Sequence, residues 1–267
     1  MRILFLGDLV GSIGISAASD FLPLLRQEKG VDFVIVNGEN ASRGKGLTHD
    51  DYERIASFAD VITLGNHYRS KEAIDRYINY ADKLIRPLNL LHYGKGEGSK
   101  VFECKGHKIR VTNILGAVFM TESVENPVSY FEGFLKNVKE GIHIVDFHGE
   151  ATSEKQWFAN YFDGLISASI GTHTHVPTAD WRLLPKGTFL QCDAGYCGAY
   201  DAVLGFDVGS VIDRFVKDLG RIEVPESGRR VVYGTILDID EESEKVVGYE
   251  PICYLDGKEL DYGPSRL

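Results

Sequence analysis

The chain predicts an α/β fold built on buried parallel strands, with a second sheet opening after Leu84. Three observations carry this. Short runs such as Asp32-Phe-Val-Ile-Val-Asn37 and Asp60-Val-Ile-Thr-Leu64 are apolar at their centres, as strands buried on both faces are. Stretches of helical length separate them. Between Leu84 and Gly116 the texture changes to short alternating runs broken by Gly94, Gly96, Gly98 and Gly106, the pattern of a further sheet with tight turns.

The first strand is Arg2 to Leu6, stopping at Gly7-Asp8, and a helix follows from about Ile13 to Gln27. The second, Asp32 to Asn37, ends in Gly38-Glu39-Asn40. After a Ser42-Arg-Gly-Lys-Gly46 loop, Thr48 is placed as an N-cap with Asp51 three residues on, opening a helix through Phe58. Asp60 to Leu64 is the third strand and delivers Gly65-Asn66-His67, and Lys71 to Asn79 reads as a helix. Lys108 to Leu115 is the clearest strand of the second sheet, and a helix is expected after Pro127. Gly141 to Phe147 is a strand ending in His148-Gly149-Glu150, followed by a helix from Ala151 through about Phe162. Leu165 to Ile170 is another strand, and just beyond it lies Gly171-Thr-His-Thr-His-Val176. Short strands around Arg182 and from Thr188 to Cys192, a glycine-rich loop from Asp193 to Gly205, and a helix from Asp207 to Lys217 come next. Arg230 to Asp238 and Lys245 to Tyr254 read as antiparallel strands joined by an acidic turn.

A length of 267 residues allows one large α/β domain or two small ones. No internal repeat, low-complexity tract or long linker divides it, so a single domain over residues 1–267 is expected. With 29 basic and 39 acidic residues the chain carries −10, which disfavours stable binding along a nucleic-acid backbone. No apolar run approaches the roughly 18 residues of a membrane helix, and the N-terminus lacks a signal peptide's pattern. The four cysteines are scattered without a Cys-x-x-Cys pair. Reduced thiols, a cytoplasmic address and no membrane association are expected.

The strand ends carry the chemistry. Asp8; Glu39 with Asn40; Asn66 with His67; His148; and His173 with His175 each follow a buried strand. Ligands of α/β sheets bind outside the carboxyl ends of strands, so these groups should meet in one crevice. Each alone has a plainer explanation, since a strand-end aspartate often caps a helix and a lone histidine is usually core or surface. Together, carboxylate, amide oxygen and imidazole without cysteine suit iron, manganese or zinc better than calcium. So many donors exceed one tetrahedral site and suit two divalent ions roughly 3.5–4 Å apart, with Glu39 as the natural bridge. Such a pair lowers the pKa of a bridging water towards ~7 and neutralises phosphoryl charge. His67 is then placed as the general acid for the leaving alkoxide, the alternatives being a supporting group or a third imidazole ligand.

The order Gly7-Asp8, Gly38-Glu39-Asn40, Gly65-Asn66-His67, His148 and Gly171-Thr-His-Thr-His175 resembles the calcineurin-like metallophosphoesterases. It is most similar to their bacterial YmdB-like branch, nearly end to end, through Asn37-Gly-Glu-Asn-Ala41, Gly44-Lys-Gly-Leu47 and Phe147-His-Gly-Glu-Ala-Thr-Ser-Glu-Lys155. Val10 stands where most of the superfamily has the histidine of Asp-x-His, and Glu39 where most have aspartate; both departures are those of the branch. The resemblance implies a two-sheet sandwich flanked by helices, in αββα layers. It implies Asp8, Glu39, Asn40 and His175 around one metal, Glu39, Asn66, His148 and His173 around the other, and His67 as proton donor. The implied activity is hydrolysis of small phosphodiesters, 2′,3′-cyclic nucleotides such as 2′,3′-cyclic AMP foremost, with iron as the metal and a homo-oligomeric state. One departure is Tyr68-Arg-Ser70 after His67, where the branch usually has Thr-Trp-Asp.

Lys45 and Arg69 are candidate substrate contacts, Lys45 on the Arg43-Gly-Lys-Gly loop and Arg69 beside the proposed acid. Asp193 is a turn residue or an orienter of a ligand histidine. His49, His92 and His107 default to the surface, His143 to the sheet interior, and Trp157, Phe158 and Tyr161 to core by their helical spacing. Cys192 and Cys197 are close enough in sequence to oxidise. Phosphomonoester hydrolysis, and a metal-stabilised signalling module with little turnover, are the competing functional readings.

Overall fold

A computed structural model of the protein describes residues 1–91, 93–138 and 141–260, so His92 lies outside the described residues. The elements run β1 (Arg2–Leu9), α1 (Gly11–Lys29), β2 (Phe33–Asn37), α2 (His49–Ala56), β3 (Val61–Thr63), a 3-10 turn (Glu72–Arg76), β4 (Ser99–Cys104), β5 (His107–Leu115), α3 (Pro127–Leu135), β6 (Ile142–His148), α4 (Thr152–Tyr161), β7 (Ala168–Thr172), β8 (Arg182–Leu183), β9 (Phe189–Gln191), β10 (Tyr196–Ala199), α5 (Val208–Val216), β11 (Arg230–Asp240), β12 (Lys245–Leu255) and β13 (Lys258–Glu259).

They form two sheets. The 7-stranded sheet runs β13-β12-β11-β10-β1-β2-β3 and the 6-stranded sheet runs β4-β5-β6-β7-β9-β8. β1 is parallel to β2 and β10, while β5, β6, β7 and β9 are mutually parallel. Alternation along the strands builds the layers. Ile3, Phe5 and Ile35 of the first sheet meet Ile109, Val111, Ile144 and Ile170 of the second in one cluster. Leu4, Leu6, Val34 and Val36 face the other way, onto Ala17, Ala18 and Leu22 of α1 and Ile55 of α2. On the far side Val145 and Phe147 pack on Phe131 of α3 and on Phe158 and Phe162. The result is the αββα order expected from the sequence.

Differences from the expectation are local. β1 runs on to Leu9 through a register shift between Leu6 and Asp8, and there it exchanges β11 for β10 as its partner. β10 itself lies within the stretch expected as a glycine-rich loop; its pairing with β1 and β11 is long-range and leaves no local signature. Thr48 caps α2 as expected, accepting from Asp51 N. The helix expected from Lys71 to Asn79 shrinks to the 3-10 turn. Tyr77 N and Ile78 N converge on the Ile74 carbonyl, the Tyr77 hydroxyl donates to Leu47 O, and Asp75 accepts from Arg69 and Tyr93, so tertiary anchors replace a continued helix. On α4 only Phe158 of the expected aromatic trio is core: Trp157 and Tyr161 share the outer face at i, i+4 and are exposed, while Glu154, Lys155 and Phe158 point inward. α5 buries none of its residues, leaving Val208, Ile212, Phe215 and Val216 exposed.

Candidate metal centre

Both sheets deliver side chains to one place. Asp8 sits near the end of β1, Glu39 and Asn40 follow β2, and Asn66 and His67 follow β3. From the second sheet His148 is the last residue of β6, and His173 and His175 follow β7. Asp8 and His148 are fully buried, and Glu39, Asn40 and His175 nearly so. His173 and His175 have φ of 102° and 62°, a region that costs a non-glycine residue on the order of 1–3 kcal/mol. The bend that brings both rings into the crevice is therefore held by its surroundings.

His148 Nε2 is the hub of one group. It lies 3.0 Å from Asn66 Oδ1, 3.1 Å from Glu39 Oε1 and 3.1 Å from His173 Nδ1. The other ring nitrogen fixes the tautomer. The Thr172 hydroxyl donates to Asp146 Oδ1 at 2.6 Å, so at 2.9 Å it accepts from His148 Nδ1–H. Nε2 then carries a lone pair and faces other lone pairs. His173 is arranged alike: its Nε2 faces Glu150 Oε2 at 3.2 Å, which turns Nδ1 inward. Ligating atoms of Glu39, His148 and His173 all lie within 4.8 Å of one another.

A second group adjoins it. His175 Nδ1 donates to Leu204 O at 2.8 Å, leaving Nε2 bare at 3.3 Å from Asn40 Oδ1 and 3.9 Å from Asp8 Oδ1. Asn40 is oriented by its amide nitrogen, which donates to Gly44 O at 2.9 Å and points its oxygen at the ring. Asp8 Oδ2 accepts from His173 N at 3.1 Å, while its buried Oδ1 has no hydrogen-bond partner. Of the Glu39 carboxylate, Oε1 faces His148 and Oε2 accepts from His67 N at 2.8 Å.

The electrostatics are those of a site short of positive charge. Burial, then the charges of Glu39 and Asp193, hold the Asp8 carboxyl well above its usual range, and burial raises Glu39 also. Burial pushes His148 well below the usual imidazole value, takes His173 down to about 4 and lowers His175. Lone pairs of neutral imidazoles and crowded carboxylates that face one another are relieved by protons or by cations lying between them. An orphaned carboxylate oxygen, tautomers that bare the inward nitrogens, and mixed N and O donors therefore fit divalent transition ions. Gly65 fits the same account. A Cβ there would lie 2.3 Å from His148 Nε2 and 2.4 Å from Glu39 Oε2, so the cradle exists only because this residue has no side chain.

His67 lies at the edge of the cluster, with Nδ1 3.5 Å from the Asn66 amide nitrogen. Burial lowers its pKa, the Glu39 charge opposes that, and the Lys45 charge adds to the lowering. Lys45 therefore stands close enough for its charge to be felt at His67. Arg69 is engaged elsewhere: it forms an ion pair with Asp75 at 2.8 Å and lies over the Tyr93 ring. His143 is a sheet-interior residue bonded to Thr112 Oγ1 at 2.8 Å, and burial takes its pKa down to about 3. His49 is exposed at the start of α2, and His107 is half-buried opposite Glu241. Cys192 and Cys197 point at different carbonyls, Thr152 O and Tyr233 O.

Sequence reasoning passed over the groups behind the donors. Asn37 donates to Leu64 O and to Asp146 Oδ2, both at 3.1 Å, and its Oδ1 accepts from Glu39 N. Asp146 is fully buried and its carboxyl is pushed up to about 7 by burial. A charged residue inside the apolar run Ile142 to Phe147 was the available signal, since such residues are almost never fully buried without a partner.

The residues thus assembled lie inside a match to the model of the YmdB-like protein family, which covers residues 4–252. A Bacillus subtilis protein named 2′,3′-cyclic-nucleotide 2′-phosphodiesterase is 41% identical over 259 residues, 96% of this chain and 98% of that protein. The crystal structure described as a novel phosphatase of Mycoplasma pneumoniae superposes with a TM-score of 0.89 at 35% identity, covering 98% of this chain and 94% of that one. The 5′-nucleotidase precursor of Thermus thermophilus shares the fold alone, at 11% identity and a TM-score of 0.56 over 96% of this chain and 54% of that one. Strand-end donors from two sheets, a near full-length match at 41% identity to a named phosphodiesterase and the matched model agree on one assignment: the chain belongs to the YmdB-like family.

Proposed function

We propose that residues 1–267 act as a single metal-dependent phosphodiesterase domain that hydrolyses 2′,3′-cyclic nucleotides. The observation that carries the reading is the face-to-face arrangement of bare imidazole nitrogens and buried carboxylates around His148 and His175, which two bound cations would relieve. Asp8, Glu39, Asn40 and His175 would hold one divalent ion, and Glu39, Asn66, His148 and His173 the other. Iron is the first candidate, with manganese and zinc next. Bound there, the ions supply Lewis-acid polarisation of the phosphoryl oxygens and lower the pKa of water towards ~7.

The chain's own residues do the rest. The His67 N–H fixes the position of the Glu39 carboxylate by donating to its Oε2. His67 gives its proton to the leaving ribose oxygen. Lys45 meets a phosphoryl oxygen from the Ser42–Gly46 loop. Arg69, exposed and paired with Asp75, is the second candidate contact, beside the His67 segment.

The Bacillus subtilis relative is named for breaking the bond to the 2′ oxygen, so the product expected here from 2′,3′-cyclic AMP is the 3′-monophosphate. The test is anaerobic loading with ferrous iron or manganese, followed by chromatography of the products, with a chelator and His67→Ala as controls. Conversion lost in both controls supports the reading; no conversion with two ions bound defeats it. The relative described as a phosphatase motivates one competing arm, in which monoesters turn over faster than diesters on the same preparation. No helix among the described residues is long and apolar enough to cross a membrane, and a cytoplasmic location is part of this proposal. Association of copies is part of it as well, motivated by the exposed apolar residues of α5; light scattering showing a monomer at micromolar concentration would rule that out.

A further inference from the structure

Lys155 of α4 and Asp193, just after β9, form a buried ion pair that the chemistry above does not use. Their side chains are 1% and 0% exposed, with Nζ 3.1 Å from Oδ2. Taking two charges out of water often costs more than their attraction returns, so a buried pair is weak evidence for stability and calls for another account. Its remaining bonds supply one. Lys155 Nζ also donates to Thr172 O at 2.7 Å. Asp193 Oδ2 accepts from Thr174 N at 2.9 Å and from the Thr174 hydroxyl at 2.8 Å, while Oδ1 accepts from Gly195 N at 2.9 Å.

Thr172 and Thr174 flank His173, and Thr174 precedes His175. Both histidines have positive φ, and the residue between them is the one that Asp193 grips twice. Gly171 lets the loop sit this close: a Cβ there would lie 1.8 Å from Cys192 O and 2.8 Å from Lys155 Cδ. The same anchor reaches the other sheet, because Gly195 O accepts from Asp8 N at 3.1 Å.

We infer that Lys155 and Asp193 are a positioning pair for the metal-binding loop, pinning Thr172 and Thr174 so that His173 and His175 keep their bent backbone and inward rings. The inference rests on the proposal that these histidines are metal ligands. Apolar residues of the same volume would fill the space but offer nothing to the Thr174 N–H and hydroxyl. The loop would then relax towards ordinary φ and draw the rings apart. Asp193 acts through Thr174, and none of its hydrogen bonds runs to an imidazole.

The test titrates the metal-free full-length chain with Mn2+ alone, reading free Mn2+ by its paramagnetic resonance signal, for Asp193→Asn, Lys155→Met, Thr174→Val and His175→Ala. Circular dichroism and urea unfolding of the same samples report the fold. Asp193→Asn and Lys155→Met are expected to weaken Mn2+ binding by ~10–100-fold, and Thr174→Val by ~10-fold with Thr174→Ser restoring it. A purely structural pair would move the unfolding midpoint and leave the affinity of folded protein untouched. Should the two charge variants fail to fold, Thr174→Val decides, since it removes one hydroxyl at a half-buried position. Wild-type Mn2+ affinity in folded Thr174→Val, with binding impaired in His175→Ala, would overturn the inference. Wild-type affinity in His175→Ala would overturn the ligand assignment, and the inference with it.

Discussion

Gly65→Ala tests the centre with a single methyl group. The backbone at Gly65 lies outside the positive-φ region, so alanine meets no conformational penalty and the effect is one of space. The new Cβ would lie 2.3 Å from His148 Nε2, 2.4 Å from His148 Cδ2 and 2.4 Å from Glu39 Oε2. Ordinary contact begins near ~3.5 Å, so the methyl or these two side chains must give way by about 1 Å. Neither side chain is free to do so. His148 is fully buried and tied through Nδ1 to Thr172, and Glu39 is tied through Oε2 to the His67 backbone. A misplacement of ~1 Å at reacting groups costs about 10²-fold in rate, equivalent to ~2.7 kcal/mol of barrier. Overpacking adds roughly 1–3 kcal/mol of destabilisation. The assay is steady-state hydrolysis of 2′,3′-cyclic AMP by manganese-loaded protein, with bound metal counted by elemental analysis. A variant that holds two ions at wild-type affinity and turns over within about twofold of wild type would refute the placement of Gly65 against the ligands.

Thr172→Val removes the acceptor that fixes the His148 tautomer, and metal affinity should fall ~10–100-fold with little change in fold, measured by chelator competition. Phe131→Ala empties a buried site ringed by Phe134, Phe158 and Phe162; urea unfolding should show a loss of about 3–5 kcal/mol, while metal stoichiometry stays unchanged. His143→Leu tests a pH effect. In the folded chain the ring is neutral down to about 3, whereas unfolded it takes a proton near ~6.5. Between those values the unfolded state binds more protons, so the ring's contribution is fully present above ~6.5 and is lost as pH falls. Wild type should therefore lose on the order of 4 kcal/mol more than His143→Leu across that window; parallel stability curves from urea midpoints against pH would contradict it.

The sequence shows its strands where burial is uniform and its donors where strands end. Glu39, Asn40, Asn66, His67, His173 and His175 stand just outside β2, β3 and β7, so period and position were enough to place them. Asp8 and His148 were expected just past their strands and lie inside them, His148 as the last residue of β6 and Asp8 one residue before the end of β1, because pairing with β7 and β10 carries each strand further than its apolar run. β10 and the turn at Glu72–Arg76 were misread because their conformation is set by contacts distant in sequence, β1 and β11 for one and Leu47 for the other. The supporting shell was the least legible part. Thr172, Asp146 and Lys155 act by what they touch across the fold, and a threonine or lysine carries no periodic signature of such contacts.

The centre also fastens the two sheets to each other at the end where apolar packing stops. Strands of different sheets share no ladder, so sliding between them is resisted largely by side chains. At the crevice those side chains are polar and aimed. Asn37 of β2 donates to Asp146 of β6, Glu39 faces His148, and Asp8 of β1 accepts from His173 beyond β7. Such bonds have narrow geometry and, once buried, are costly to leave unmade, so they fix one relative position where hydrophobic contact would tolerate several. The proposed metal site, with donors from both sheets, needs that fixity, because a shift of one sheet would separate Asp8 and Glu39 from His148 and His173. The network that orients individual imidazoles is thus also what holds the two halves of the donor set in register.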